Sequence, residues 1–500
     1  MEKTANSPAR EQFGSRLGYI LVSAGCAVGI GNVWKFPYLC GEYGGAAFIL
    51  LYLIFLVLMG IPVMICEFSI GRKSRQSGAT SLGAIEPDGT HWHRLKWISI
   101  VGNFMLMMFY TSVSGWFVDY AVRSVKGEFT GTTPTEITEK FSSMLSNTGE
   151  LTFFMILVCI IGFTICYFGI QKGVERVTKF FMIGLIILMI ALAVHSVTLD
   201  GASAGLKFFL VPNFDRMAKQ GLGNVIFAAM SQAFFTLSIG IGSLLIFGSY
   251  IGKDRSLAGE ATIVTLLDTF VALMSGLIII PACFAYGISP DAGPSLIFIT
   301  IPNLFSQMPG GRVWGAMFFV FLAIAALSTV VAVFESIISF CMDMRGWSRK
   351  KSTFISAILV IVLSMPCVLG FNVISGFQPL GEGTCVLDLE DFIVSNNLLP
   401  LGSFAFVLFC TRKNGWGWDG FIEEANTGKG LKFSNKLKGY VSYVLPALIV
   451  IIYLKGYYDK FSPMGKGPLA FWTVMALLFL GFIIRCATYV DKNKKQVTNA

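Results

Sequence analysis

Asp268 stands in the run Leu266-Leu267-Asp268-Thr269-Phe270, well inside an apolar segment long enough to cross a bilayer. A carboxylate at membrane depth is expensive unless it is paired, hydrogen-bonded or bound to a cation, so it marks a functional position by default. Hard oxygen donors suit a hard cation. Thr236, Ser328 and Thr329, in comparable segments, can supply further oxygens, although a lone membrane Ser or Thr more often bonds its own helix backbone. Asn32 adds a side-chain carbonyl. The chain has no CxxC, no His cluster, no catalytic triad and no GxxxxGK[ST] phosphate loop, which speaks against an enzyme and against ATP-driven work.

Two glycine clusters say where the cation would sit. Gly25-Cys26-Ala27-Val28-Gly29-Ile30-Gly31-Asn32 and Ser238-Ile239-Gly240-Ile241-Gly242-Ser243 each place a Gly-Ile-Gly step in mid-segment, followed by a small polar residue. Glycine weakens a helix by about 1 kcal/mol per residue, and unwound backbone inside a bilayer is tolerated only where it lines a buried site. One such cluster reads equally well as close helix packing through small residues. Two clusters five segments apart read differently: segments one to five and six to ten correspond, and an odd offset inverts the second half. That is the inverted repeat of secondary carriers, with the site where the breaks meet. Half-helix N-termini favour a carboxylate there and freed carbonyls favour a cation. A cation-coupled carrier of a small carboxylated solute follows.

The elements that must hold these residues are membrane helices. Of 500 residues 54% are hydrophobic and 13% charged, against roughly 25% charged in a soluble chain. Apolar runs of spanning length fall near 16–39, 46–71, 97–122, 151–170, 177–198, 223–250, 258–287, 313–343, 352–372, 386–410, 440–457 and 468–488. The expected fold is therefore an all-α polytopic membrane protein of about 12 helices. It divides into an N-terminal tail (1–15), a first repeat (16–198), a second repeat (223–410), two accessory spans (436–488) and a C-terminal tail (489–500).

Charge sets the orientation. With both termini and the even-side loops assigned to the cytoplasm, 27 of the 38 Lys and Arg fall there, as the positive-inside rule requires. Arg72-Lys73-Ser74-Arg75 and Arg349-Lys350-Lys351 then read as topology signals, and the net charge of +9 needs no nucleic acid. The tail lacks an apolar signal-peptide core, so the first span is expected to act as its own insertion signal. The eleven Cys are scattered singly and read as small core residues. Loop 124–150 holds neither a Cys pair nor a glycosylation acceptor, which points to a bacterial inner membrane. Segment 288–312, with Pro290, Asp291, Pro294 and Pro302, is apolar enough to fold back as a lid.

These residues resemble the neurotransmitter:sodium symporter family, in particular its bacterial amino-acid transporters. The likeness is densest in Arg16 to Pro37 (RLGYILVSAGCAVGIGNVWKFP). It continues in Tyr43-Gly44-Gly45-Ala46, Pro62 with Glu67, Phe234-Phe235-Thr236-Leu237-Ser238 and Ala325-Ala326-Leu327-Ser328-Thr329. The resemblance implies two sodium ions. One would be held by the Ala27 carbonyl, Asn32, Thr236, Asp268 and the substrate's own carboxylate. The other would be held by the carbonyls of Gly25, Val28 and Ala325 with the hydroxyls of Ser328 and Thr329. A shared carboxylate makes each ligand raise the other's affinity.

The same resemblance implies that amides near Gly31 and the Tyr110 hydroxyl hold the substrate carboxylate, and that carbonyls around Phe235, Thr236 and Ser238 take its ammonium. Leu106, Phe235, Ile241 and Val333 would surround an apolar side chain, with Ala27 and Thr329 at the edge of the pocket. Gly29 stands where monoamine carriers have Asp, so the substrate should bring its own carboxylate. Asp268 stands where members often have Asn, and Ala272 where chloride-dependent members have Ser, so transport is expected to be chloride-independent. Tyr110 and Phe235 would form an inner lid, Lys35 and Asp391 an outer ion pair, and Arg10 and Asp343 a cytoplasmic gate. Family members usually have Arg at the Lys35 position, and Lys lacks its bidentate fork. Glu67 is expected to be a structural partner of the broken sixth helix. A proton-coupled carrier of similar architecture and a membrane sensor that binds without transport are the alternatives.

Overall fold

The computed structural model describes residues 11–289 and 296–491. Within them the chain is helical, and no strand forms. Ten helices are long and apolar enough to cross a membrane, or eleven if a bent pair at the start counts as one span. That pair is α1 (Arg16–Ala27) and α2 (Gly31–Glu42), which meet at 58°. Then follow α3 (Ala46–Ser74), α4 (Trp92–Lys126), α5 (Thr148–Tyr167) and α6 (Ile170–Val197). The sixth apolar segment is two half-length helices, α7 (Leu222–Thr236) and α8 (Ser243–Tyr250), joined by residues 237–242. The remaining spans are α9 (Leu257–Ala285), α10 (Gly311–Arg345), α11 (Arg349–Leu369), α12 (Val386–Thr411), α13 (Asn435–Met464) and α14 (Lys466–Thr488). The expectation of about 12 spans counts α7 and α8 as one segment.

The breaks form where the residues cannot sustain a helix. In the first, Val28 is extended (φ −66°, ψ 107°), and Ser15 caps the start of α1 by accepting the Gly18 amide. In the second, Ser238, Gly240 and Gly242 have φ of 51°, 101° and 72°, a region that a helix cannot use and that glycine enters without strain. Gly240 also lies against α12: a Cβ on it would stand 2.0 Å from the Leu399 carbonyl oxygen. Buried α10 packs along α4, α9 packs against α1 and α2, and the broken segments lie between them.

Two of the connections are more structured than their polarity indicates. Within 124–150, Pro134–Ser146 is helical, with Thr133 and Glu136 forming a reciprocal capping box. Leu296–Gln307 folds back onto the bundle: Phe298 is buried among Trp34, Trp116, Phe117, Tyr120 and Phe141, and its carbonyl accepts the Tyr120 hydroxyl at 3.1 Å. Pro290, Asp291 and Pro294 lie outside the described residues.

Two of the basic positions read as topology signals do structural work. Arg72 is 1% exposed; its Nε pairs with Glu424 at 2.6 Å and its Nη1 donates to the Arg255 carbonyl at 2.7 Å. Arg349 pairs with buried Glu335 at 2.7 Å. A guanidinium at a helix end can serve topology and packing together, because its planar donors match carboxylate and carbonyl geometry.

Candidate functional site

The two breaks meet. Gln232 of α7 donates to the Gly31 carbonyl at 2.9 Å, which ties the sixth segment to the first. Asn103 of α4 donates to the Ile241 carbonyl at 2.8 Å and accepts the Ser243 hydroxyl at 2.8 Å. Glu67 of α3, fully buried, accepts the Gly240 amide at 2.5 Å. These freed backbone groups thus have fixed partners, as a low-dielectric interior demands.

Around this junction stand two oxygen clusters. In the first, Asp268 Oδ2 accepts the Thr236 hydroxyl at 3.0 Å, and Asn32 Nδ2 reaches Asp268 Oδ1 at 2.7 Å, the Asp268 carbonyl at 3.1 Å and Thr236 Oγ1 at 2.9 Å. Tyr52 closes it from α3, 3.5 Å from Thr236. The sequence reading put the Asn32 carbonyl in this cluster. In the structure Oδ1 instead accepts the Gly29 amide at 3.0 Å, a donor that the break sets free. A half-turn of the side-chain amide exchanges the two roles, so the same Asn can close the ring as a donor or present an oxygen to a cation.

In the second cluster α10 meets the broken end of α1. Ser328 Oγ lies 2.7 Å from the Ala325 carbonyl and 3.3 Å from that of Gly25. Thr329 Oγ1 lies 2.9 Å from the Val28 carbonyl and 3.2 Å from that of Gly25. Five oxygens, three of them main-chain carbonyls, converge here, a donor set that fits a hard monovalent cation.

Between the clusters lies a cavity lined by Ala27, Gly29, Ile30, Gly31, Leu106, Tyr110, Phe235, Ser238, Ile241, Val394 and Leu399. Its polar end is the first break, where the Tyr110 hydroxyl accepts the Ile30 amide at 3.1 Å. A Cβ on Gly29 would stand 2.2 Å from that hydroxyl and 2.7 Å from Thr329 Oγ1. No side chain fits there unless Tyr110 moves. Apart from Ser238 at the second break, the rest of the wall is apolar. Of the residues expected in the pocket, Val333 is buried but does not line it; Thr236 and Thr329 stand in the adjoining oxygen clusters. Ile30, Val394 and Leu399 line it unforeseen.

The expected gates are placed as follows. Lys35 sets its Nζ 3.9 Å above the Phe235 ring, a cation–π contact, while Asp391 takes the Ser395 hydroxyl at 2.6 Å; the two are not in ion-pair contact. Asp343 accepts the Ser77 amide at 2.7 Å, and Arg10 lies outside the described residues. The Arg349–Glu335 pair is joined by the Tyr250 hydroxyl at 2.8 Å and extended by Glu11 at 3.1 Å. Gln232 and Asn103 were missed although their signal, an amide side chain in an apolar span, is the one that singled out Asp268. Val394 and Leu399 carry no such signal.

The chain is similar to several known proteins. The model of the "Sodium:neurotransmitter symporter family" matches residues 10–139 and 135–486. An uncharacterized sodium-dependent transporter of Bacillus subtilis is 32% identical over 450 residues, covering 89% of this chain and 97% of that protein. The sodium- and chloride-dependent GABA transporter 2 of Rattus norvegicus is 28% identical, covering 80% of this chain and 72% of that one. Among solved structures, MhsT in complex with L-phenylalanine superposes with a TM-score of 0.79 at 36% identity, covering 90% of this chain and all of that one.

Proposed function

The chain belongs to the sodium:neurotransmitter symporter family, and we propose that it carries a neutral, hydrophobic or aromatic amino acid together with two sodium ions, by alternating access and without chloride. That it is a sodium-dependent transporter built from many membrane helices, and not an enzyme, follows from the family and the relatives. The finer reading rests above all on one observation. The cavity is polar at the first break, where backbone meets the Tyr110 hydroxyl, and at Ser238 of the second, and no protein carboxylate lines it. A substrate carboxylate placed at the first break would face the N-terminal end of α2, where the helix dipole favours negative charge, and would complete the coordination at Asp268. The apolar remainder then takes the side chain. The structure of MhsT with L-phenylalanine is compatible with this choice.

In this reading 16–198 and 223–410 form inverted halves, both termini are cytoplasmic, and the membrane is a bacterial inner membrane. Sodium charges the two oxygen clusters, the substrate carboxylate joins the first of them, and only the filled site closes. The fixed charge of Asp268 stands in for an anion, so chloride has no role. A binding assay with detergent-solubilised protein tests this. Labelled hydrophobic amino acids should bind in sodium chloride and in sodium gluconate alike, and should not bind in potassium or choline salts. Loss of binding in gluconate would overturn the chloride assignment. Equal binding in choline would overturn sodium coupling.

A further inference from the structure

Glu390 is 2% exposed, and neither carboxyl oxygen accepts from an N–H or O–H group; the Cys367 thiol is its one weak donor. Among the described residues no other carboxyl has both oxygens buried and without an N–H or O–H donor. It lies at the start of α12, one residue before Asp391, on the face of the bundle away from the N-terminus. The opening turns of α12 pack against α4 and α11. From those helices the buried thiol of Cys367 of α11 faces Glu390, and the Ser112 hydroxyl of α4 meets that thiol. On its own element, Asp388 is engaged with the Cys385 amide at 2.7 Å and Asp391 with Ser395. Among the described residues no Lys, Arg or His pairs with it.

An ionised carboxylate in such a place has no counter-charge and only a weak S–H donor to replace its water, and an interior avoids that state by neutralising the group. Sodium is a poor alternative occupant, because Glu390's surroundings offer one thiol, with a hydroxyl beyond it, rather than a shell of oxygens. Beyond it, Phe392–Leu398 is a seven-residue π-helix, a winding frequent at functional sites, and Val394 within it lines the cavity.

We propose that Glu390 is a proton-binding site. The carboxyl is a neutral acid while the opening turns of α12 are seated against α4 and α11. When this segment swings away to open the site, the O–H bond breaks, the proton passes to external water and the electron pair stays on the carboxylate. Reseating takes a proton back. This use of the external side rests on the topology proposed above; the protonation state itself does not.

Infrared spectroscopy of the purified full-length protein at neutral pH reads the neutral acid without any transport. A protonated-carboxyl C=O band present in the wild type should be lost in Glu390→Gln. An undiminished band in that variant would overturn the proposal. So would failure of Glu390→Gln to fold, since Gln is the isostere of the neutral acid. In proteoliposomes, acidifying the external medium should lower wild-type sodium-driven uptake several-fold, and Glu390→Gln should give slow uptake with no response to external pH. A variant that keeps the wild-type pH response would contradict the site. If no uptake is seen at all, the transport reading fails, while the infrared result still decides the proton site.

Discussion

Asn32 and Asp268 are in direct contact, the amide Nδ2 2.7 Å from the carboxylate Oδ1 and 3.1 Å from the carbonyl of the same residue. One comes from the broken first helix and the other from the intact seventh span, so the contact joins the part of the molecule that has unwound to a part that has not. The side-chain donors on the Asp268 carboxyl, Asn32 and Thr236, are both neutral, so a cation is the partner that would best complement its negative charge.

Asp268→Asn should keep the ring of hydrogen bonds and lose the charge. A hydrogen bond or ligand contact to a charged group is worth roughly 1.5–3 kcal/mol, so apparent sodium affinity should fall about 10- to 100-fold, with little change in thermal stability. Sodium titration of amino-acid binding measures this. Unchanged sodium affinity would remove Asp268 from the ion site.

Gly29→Ala places a methyl 2.2 Å from the Tyr110 hydroxyl and 2.7 Å from Thr329 Oγ1. Substrate affinity should drop by about 5- to 150-fold, since the residue that holds the polar end must move, at a cost of order 1–3 kcal/mol. Gly184→Ala, with nothing within 4 Å, is the matched control and should bind normally. Normal binding by Gly29→Ala would show that the carboxylate sits elsewhere.

Ser328 and Thr329 lie on one turn of α10 and both touch the Gly25 carbonyl. Thr329→Val keeps the shape and removes the oxygen, while Thr329→Ser keeps the oxygen. If the cluster holds sodium, Val should weaken sodium affinity about tenfold or more and Ser by much less, for a loss of roughly 1–2 kcal/mol of ligation. Equal effects of Val and Ser would point to packing alone.

Lys35 sits on Phe235 and not on Asp391. Lys35→Arg brings a planar fork able to span from the ring to the carboxylate, and should slow dissociation of bound amino acid a few-fold, since an exposed ion pair adds about 0.2–1 kcal/mol. Dissociation after dilution into unlabelled amino acid measures it. Faster release from Arg than from Lys would show that the contact with Phe235, and not charge closure, retains the substrate.

Much of this was legible in the sequence because the bilayer makes polarity costly. Asp268, the two Gly-Ile-Gly steps and the paired Ser328-Thr329 stand out against apolar surroundings, and each lies at the junction. Glu67 was read as a partner of the broken sixth helix and holds the Gly240 amide. What was not legible is long-range pairing. Nothing local tells that Arg349 will meet Glu335 rather than serve orientation alone, or that Val394 and not Val333 will face the cavity, because a helix buried all round has no periodicity to orient it. The helix Pro134–Ser146 is a different case. Its Thr133-Pro134 start with Glu136 is a capping signal that the polarity of the loop masked.

The central claim is coupled transport, and uptake into proteoliposomes tests it most directly. Purified protein is reconstituted in potassium-loaded vesicles, and labelled Phe, Leu and other neutral amino acids are presented in external sodium. The account predicts accumulation of one or a few hydrophobic or aromatic amino acids above the external concentration, collapsing when the sodium gradient is dissipated and absent in potassium or choline. Sodium-dependent binding with no accumulation would contradict it and make the protein a sensor. Accumulation that follows an imposed proton gradient and ignores sodium would contradict it as well.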